Sequence, residues 1–343
     1  MQSARGFLRV AYEPTNSGGW TSRDGGWHWK SADPSARFCG RVPASGRPVE
    51  LPMRANDVIL VTGATGNTGS TLLQELERRR AAVRALVRSA KHGTRLPNTS
   101  ATVVMGDFDD PRSLEAALEG VTHAYLVTPS SPDAEAQQVR FSELAAAAGV
   151  RHLVKLSQFA AAEGSPVRFL RYHAVVERRI RELGVAFTFL RPNLYFQGLL
   201  AFQPMIAAEG HFVAPIGDAP VSAVDVRDIA AVAAIALTED GHDGKTYTIT
   251  GPAAVTHTEM ASALSKALGR QVAFIDVPAD AFAGALKAAG VPPWQVDGLV
   301  EDYAHYARGE AESISPHVRD VTGVEPRDVG RFAEDYASAF VGT

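Results

Sequence analysis

The feature that most constrains this chain is a glycine-spaced turn between a buried strand pattern and a helical one. Val58-Ile59-Leu60-Val61 is a short β-branched run, Thr62-Gly63-Ala64-Thr65-Gly66-Asn67-Thr68-Gly69 follows it, and Ser70-Thr71-Leu72-Leu73 opens a helix. Glycines three apart at such a junction serve a tight turn, close approach of backbone to a pyrophosphate, and close packing of helix on strand. Gly66 is the position where a side chain would meet the phosphates, and the N–H groups of the helix start face the anion. The spacing therefore predicts a dinucleotide cradle from Gly63, Thr65, Gly66, Asn67, Thr68 and Gly69, at the start of a parallel βαβ unit.

The rest of the chain continues that rhythm. Strand patterns at 58–62, 82–87, 101–105, 123–127, 152–156 and 187–190 alternate with helical patterns at 68–80, 112–118, 134–148 and 167–183. Strands alternating with crossover helices predict an α/β protein, a Rossmann-type doubly wound parallel sheet over residues 57–191. After Arg191 the alternation breaks: apolar runs at 210–216 and 246–250 are mixed with helices at 226–237, 258–268, 279–289 and 326–340. Residues 192–343 are therefore expected to form a smaller, mostly helical C-terminal substrate lobe, with strands returning to the sheet.

Residues 1–56 differ in kind. They hold Trp20, Trp27 and Trp29 among Gly and Pro, with no helical or strand period. Seven Arg and one Lys against four acids give this stretch +4, which leaves −8 for residues 57–343 of a chain at −4 overall. It reads as an irregular basic arm, either an extraneous leader with the natural start at Met53 or a real segment draped on the body through its tryptophans.

The nearly balanced charge gives no drive towards nucleic acid or an anionic membrane. A single cysteine, Cys39, excludes an internal disulfide or thiolate metal cluster, no metal-ligand motif occurs, and no apolar stretch reaches membrane-span length. A soluble, cytoplasmic protein is expected. A Gly-x-Ser-x-Gly elbow and a His-Glu-x-x-His helix are both lacking.

The end of the second strand speaks to cofactor choice. A carboxylate there would hold the ribose hydroxyls of NAD, whereas Ala85-Leu86-Val87-Arg88-Ser89 offers the Arg88 guanidinium to a 2′-phosphate, with Ser89 as a further donor and Lys91 or His92 as outlying charges. NADP(H) is the predicted cofactor. Asp107 and Phe108, after the third strand, fit the adenine amino group and ring face; Asp107 equally fits a cap of the helix at Pro111 or of a nearby turn. Thr128 and Pro129 fall beside the nicotinamide half of the cleft.

These motifs, together with Leu156-Ser157, His173 with Glu177, Phe187-Thr188-Phe189-Leu190-Arg191-Pro192 and Asp225-Val226-Arg227-Asp228, run in order through nearly all of residues 57–340. In that ordered set the chain resembles an NmrA-like member of the atypical short-chain dehydrogenase/reductase superfamily. The resemblance places Phe169 and His173 where better-known superfamily members carry a Tyr-x-x-x-Lys pair, so ordinary ketone reduction by that pair is in doubt. It implies His173 at the reactive end, and Ser157 as a hydrogen-bonding partner of a substrate oxygen or the nicotinamide ribose. Glu177, one helical turn from His173, either orients the imidazole or pairs at the surface with Arg181. Tyr172 is rotated by about 100° from His173 on a helix and reads as a poor substitute donor.

Hydride addition to an isolated ketone builds a localised alkoxide that needs an acid or oxyanion donor, whereas a quinone, a cationic dye or a similar conjugated acceptor gives a delocalised product that solvent can protonate. With Phe169 in the tyrosine position, the resemblance implies an oxidoreductase of quinone-like or other conjugated aromatic acceptors. Asn193, Tyr195, Phe196 and Phe202 are candidate substrate-wall residues, with lobe-to-lobe packing as their other reading, above all for Phe202. The resemblance admits two other functions: an NADP-sensing regulator without turnover, and an aromatic polyketide tailoring enzyme acting with a partner reductase. A protein partner or a homodimer is compatible with each.

Overall fold

The computed structural model describes residues 19–23, 26–30 and 56–341. The chain forms two compact units, residues 1–50 and 51–343. In the first, β1 (Gly19–Arg23) pairs antiparallel with β2 (Gly26–Lys30), Trp20 opposite Trp29. This corrects the expectation of an arm without strands. The sequence signal passed over is Asp24-Gly25 between them, a pair favoured in two-residue hairpin connections. The rest of the arm reading, Cys39 and Met53 included, lies outside the described residues.

The second unit opens with β3 (Val58–Val61), α1 (Asn67–Arg78), β4 (Ala82–Val87), α2 (Ala90–Gly93), β5 (Thr102–Met105) and α3 (Pro111–Leu118). It continues through β6 (His123–Leu126), α4 (Ala134–Ala147), β7 (His152–Leu156), α5 (Arg168–Leu183) and β8 (Ala186–Pro192). After a 3-10 turn at Phe196–Phe202 come α6 (Gln203–Glu209), β9 (His211–Ala214), α7 (Val226–Thr238), β10 (Lys245–Ile249), α8 (His257–Leu268) and β11 (Ala273–Asp276). The chain closes with α9 (Ala279–Ala288), α10 (Pro293–Ala307), α11 (His317–Thr322), α12 (Val329–Asp335) and a 3-10 turn at Ala337–Phe340.

Seven strands form one parallel sheet in the order β10-β8-β7-β6-β3-β4-β5. The chain builds outwards from β3 in one direction, then returns to build from β6 in the other. The crevice beyond the carboxyl ends of β3 and β6 is therefore the topological switch point, where a sheet of this kind takes its ligand. The apolar run at 246–250 supplies the seventh strand, β10, beside β8.

Period-two alternation puts β3 into two cores at once: Ile59 and Val61 pack with Leu72, Leu73 and Leu76 of α1 and with α7, whereas Leu60 faces Leu114, Phe141 and Ile180 of α3, α4 and α5. Each such fully buried side chain contributes about 1.5–3 kcal/mol. Beyond the sheet, β9 and β11 pair parallel with each other, and α8, α12 and the last 3-10 turn pack round Phe212 and Phe332. The expected helix at 326–340 is thus two elements, broken at Tyr336. Asp225 caps α7 through the N–H of Arg227, and Asp228 accepts from the N–H of Arg327. Among the described residues, no helix is long and apolar enough to cross a membrane.

Candidate active site

A cleft of about 870 Å3 runs along the carboxyl edge of the sheet. Its floor is the loop between β3 and α1, and Thr62 fixes that loop by donating from Oγ1 to the carbonyls of Tyr125 and Val127, at 3.0 and 2.9 Å. Gly63 adopts φ +56°, and a Cβ there would lie 2.5 Å from Val127 Cγ1. Gly69 sits behind the loop, where a Cβ would lie 2.2 Å from the Gly63 carbonyl oxygen, so it packs helix against turn and does not line the cleft. Gly66 differs from both, since a Cβ would meet only that oxygen, at 3.3 Å, and would otherwise fill the cradle. Thr65, Asn67 and Thr68 line the cleft beside it. A cradle that a single methyl would fill, at a helix start that supplies unpaired N–H groups, fits a pyrophosphate.

On the side of β4 and β5 the lining includes Arg88, His92, Asp107 and Phe108, and adds Arg95, which the sequence reading missed. Ser89 and Lys91 do not line it; the Ser89 hydroxyl is 2.8 Å from His92 Nδ1 and thereby positions that ring. Three basic side chains and no carboxylate at the end of β4 suit a 2′-phosphate. The cap of α3 is Asp110, which accepts from the N–H of Arg112, so Asp107 is not that cap. Asp107 instead accepts from the N–H of Asp109 at 3.0 Å in a local turn while lining the cleft. Phe108 is braced by Phe141, ring centroids 5.6 Å apart.

On the side of β7 and β8 the cleft is lined by Thr128, Pro129, Ser130, Ser157, Gln158, Tyr172, His173, Asn193 and Tyr195. Glu177 is not among them. It is fully buried, accepts from Ser157 Oγ at 2.6 Å and from Arg191 at 2.9 and 2.6 Å, and pairs with Arg181 at 3.2 Å. The expected pair with Arg181 forms, but from a buried carboxylate and not at the surface, and Glu177 does not orient the imidazole; it holds Ser157 in place. Burial alone would raise its carboxyl, but the hydrogen bonds from Arg191 and Ser157 and the charges of Arg191 and Lys155 outweigh that and lower it.

The partner of His173 is Lys155, a fully buried β7 residue whose Nζ lies 2.7 Å from Nδ1. Burial, only partly offset by Glu177, brings the Lys155 ammonium down to about 7. Burial, with the charges of Lys155 and Arg191, holds His173 well below the usual histidine range, so the ring is neutral at pH 7. A donating Lys155 leaves the ring proton on Nε2. Sequence inspection passed over Lys155 because Val154-Lys155-Leu156 looks like an ordinary strand. The signal available was one charge inside a strand predicted to be covered on both faces.

Phe169 is buried and absent from the lining. Its ring packs under Gly298 of α10, where a Cβ would lie 2.3 Å from it, and is 5.4 Å from the Trp294 ring. The tyrosine position has thus become an anchor for α10, which Arg168 also holds through Glu301 at 2.7 Å and over the Trp294 ring. Tyr172 lines the cleft after all, its hydroxyl 3.2 Å from Ser130 Oγ, because the cleft wall wraps round this face of α5. Burial pushes that hydroxyl up to about 12, so it stays protonated.

Of the expected substrate wall, Tyr195 lines the cleft. Asn193 lines it too, but its amide is spent on Ser222 Oγ and the Ala311 carbonyl, both at 2.9 Å, which ties the C-terminal segment to the end of β8. Phe196 does not line it. The 3-10 turn after Tyr195 directs Phe196 into the distal core, 5.6 Å from the Phe332 ring, and Phe202 packs on Phe212. The wall is completed by Gln295, Leu299, Asp302 and Tyr306 on one face of α10.

Comparison with known proteins places the chain in a family. The NmrA-like family model matches residues 55–322. A NAD(P)H azoreductase of Xenophilus azovorans is 36% identical over 283 residues, 82% of this chain and 99% of the relative. A (4-alkanoyl-5-oxo-2,5-dihydrofuran-3-yl)methyl phosphate reductase of Streptomyces griseus is 39% identical over 286 residues, again 82% and 99%. The crystal structure of an Escherichia coli NADPH-dependent quinone oxidoreductase complexed with NADPH superposes with a TM-score of 0.73 at 28% identity, covering 81% of this chain and 99% of the other.

Proposed function

The chain belongs to the NmrA-like family of Rossmann-type proteins, and from that premise we propose that it is an NADPH-dependent oxidoreductase acting on quinone-like or other conjugated aromatic acceptors. What carries the reading is the reactive end of the cleft, where a neutral His173, the Tyr172 hydroxyl and Ser157 face the ligand space while Phe169 is committed to α10. The N–H groups of the Gly63–Gly69 loop would hold the pyrophosphate, Arg88, His92 and Arg95 the 2′-phosphate, and Asp107 with Phe108 the adenine. The bound nicotinamide nucleotide would supply a hydride.

The protein's part is placement. Glu177 takes the Ser157 proton in a hydrogen bond and leaves Oγ as an acceptor, Lys155 sets the His173 tautomer, and Ser130 holds Tyr172, which leaves His173 and Tyr172 as weak neutral donors round the acceptor. A tyrosine at about 12, with no lysine to lower it, serves a localised alkoxide poorly. A delocalised reduced acceptor asks for less, and the Tyr195 and Tyr306 rings suit a flat ligand.

The test is oxidation of NADPH by the purified protein with naphthoquinones, anthraquinones and azo dyes, beside a panel of isolated ketones. Acceptor-dependent turnover confined to the conjugated set is expected. Tight NADPH binding without any turnover would overturn the reading in favour of a sensor. Replacing Arg88 by Asp is expected to lower the NADPH over NADH ratio of kcat/KM by about 100-fold, through loss of a charge-assisted pair and gain of repulsion. An unchanged ratio would remove Arg88 from the site.

A further inference from the structure

The two ends of the cleft differ in charge. The basic lining residues Arg88, His92 and Arg95 all lie beyond β4, on one side of the switch point. On the other side the lining carries one ionisable carboxyl, Asp302 of α10, which is only 7% exposed. Its oxygens accept from Gln158 Nε2 at 3.0 and 2.9 Å and from the Tyr306 hydroxyl at 2.9 Å, all neutral donors. No Lys, Arg or His forms an ion pair with it among the described residues, whereas its neighbour Glu301 is neutralised by Arg168. A desolvated carboxylate without a counter-charge is costly, and its presence in a ligand wall asks what neutralises it.

We propose that Asp302 selects acceptors by charge, so that this cleft takes positively charged planar conjugated acceptors in preference to neutral ones and rejects anionic ones. The inference rests on the oxidoreductase reading and names its substrate class. The tyrosines of this wall, Tyr172, Tyr195 and Tyr306, present rings to the same space and add a cation–π attraction. A phosphate- or sulfonate-bearing acceptor would bring a second anion beside Asp302 with no basic side chain of the wall to receive it.

The preference also carries a pH signature. Burial, with Glu301 beside it, raises the Asp302 carboxyl to about 6 against the lowering effect of the Tyr306 and Gln158 hydrogen bonds. Lys155, behind His173 and brought down to about 7, changes charge in the same range, and Asp302→Asn separates its effect; the groups packed round Asp302 itself keep their charge between pH 5 and 8. Tyr172 and Tyr303 are raised by burial, Tyr306 is raised well above the usual tyrosine range, Glu301 is lowered while paired with Arg168, and His173 on α5 is neutral. Selectivity for the cation is therefore present above pH 6 and fades below it.

The experiment compares naphthoquinones carrying trimethylammonium, methyl or sulfonate groups, by kcat/KM with NADPH and by calorimetric Kd for the NADP+-loaded protein without turnover. At pH 7.5 the trimethylammonium compound is expected to exceed the sulfonate by at least about tenfold in kcat/KM and to have a Kd lower by at least about tenfold. Asp302→Asn should cut the cation over neutral ratio by about tenfold. Tyr306→Phe, which keeps the carboxylate and removes one donor, should preserve the ratio at pH 8 while moving its midpoint upwards. A ratio unmoved by Asp302→Asn, or by Tyr306→Phe across the pH range, overturns the inference. Charge-ordered Kd values without turnover would instead overturn the oxidoreductase reading alone.

Discussion

Replacing Gly69 by alanine is expected to lower NADPH affinity by at least about 100-fold and to destabilise the protein by about 1–3 kcal/mol. The new Cβ would fall 2.2 Å from the Gly63 oxygen, 2.7 Å from its carbonyl carbon and 3.0 Å from Ala64 Cα. These are backbone atoms, so relief requires movement of the turn itself, and with it the hydrogen bond from the Gly66 N–H to the Gly63 carbonyl at 2.9 Å. Gly66→Ala separates the two effects. Gly66 has φ −87° and ψ 172°, which alanine adopts freely, and its Cβ would meet only one atom, at 3.3 Å. That variant should unfold at the wild-type temperature yet bind NADPH poorly, because the methyl enters the cradle. Fluorescence titration of NADPH and thermal unfolding of both variants decide it; tight NADPH binding by Gly69→Ala would show that the turn does not form the cofactor site.

Glu177→Ala is expected to cost about 3–5 kcal/mol at pH 7, because it leaves Arg191 and Lys155 facing each other without their buried counter-charge. The pH dependence follows from the direction of the shift. The folded carboxyl titrates below its unfolded value of about 4.5, so its stabilising contribution is complete above that pH and is lost as pH falls through the lowered folded value. The gap between wild type and variant, measured by denaturant unfolding, should therefore narrow towards pH 3. A gap under about 1 kcal/mol at neutral pH would mean that solvent reaches this network and screens it. Turnover should fall as well, since the Ser157 hydroxyl loses its acceptor.

Where sequence and structure agree, the information was local. A strand's alternation, the glycine spacing and the missing carboxylate after β4 are each carried by a few adjacent residues, and β4 and β7 begin and end where their patterns do. α10 was not anticipated because its buried face mixes Val296, Tyr303 and Tyr306 with Gly298, Asp302 and His305, which blurs the helical period. The same helix carries Asp302, the carboxyl that lines this end of the cleft.

The sequence by itself determined the doubly wound sheet, the glycine-spaced turn and the basic residue at the end of β4, since short-range sterics and burial period dictate them. Only the tertiary structure decided which polar residues meet. Lys155 came to His173, Glu177 to Ser157 and Arg191, and Phe169 to Gly298, pairs 14 to 129 positions apart that only β7, β8, α5 and α10 packed together bring into contact. A buried charge takes its meaning from its partner, and that partner is chosen by packing, not by spacing along the chain.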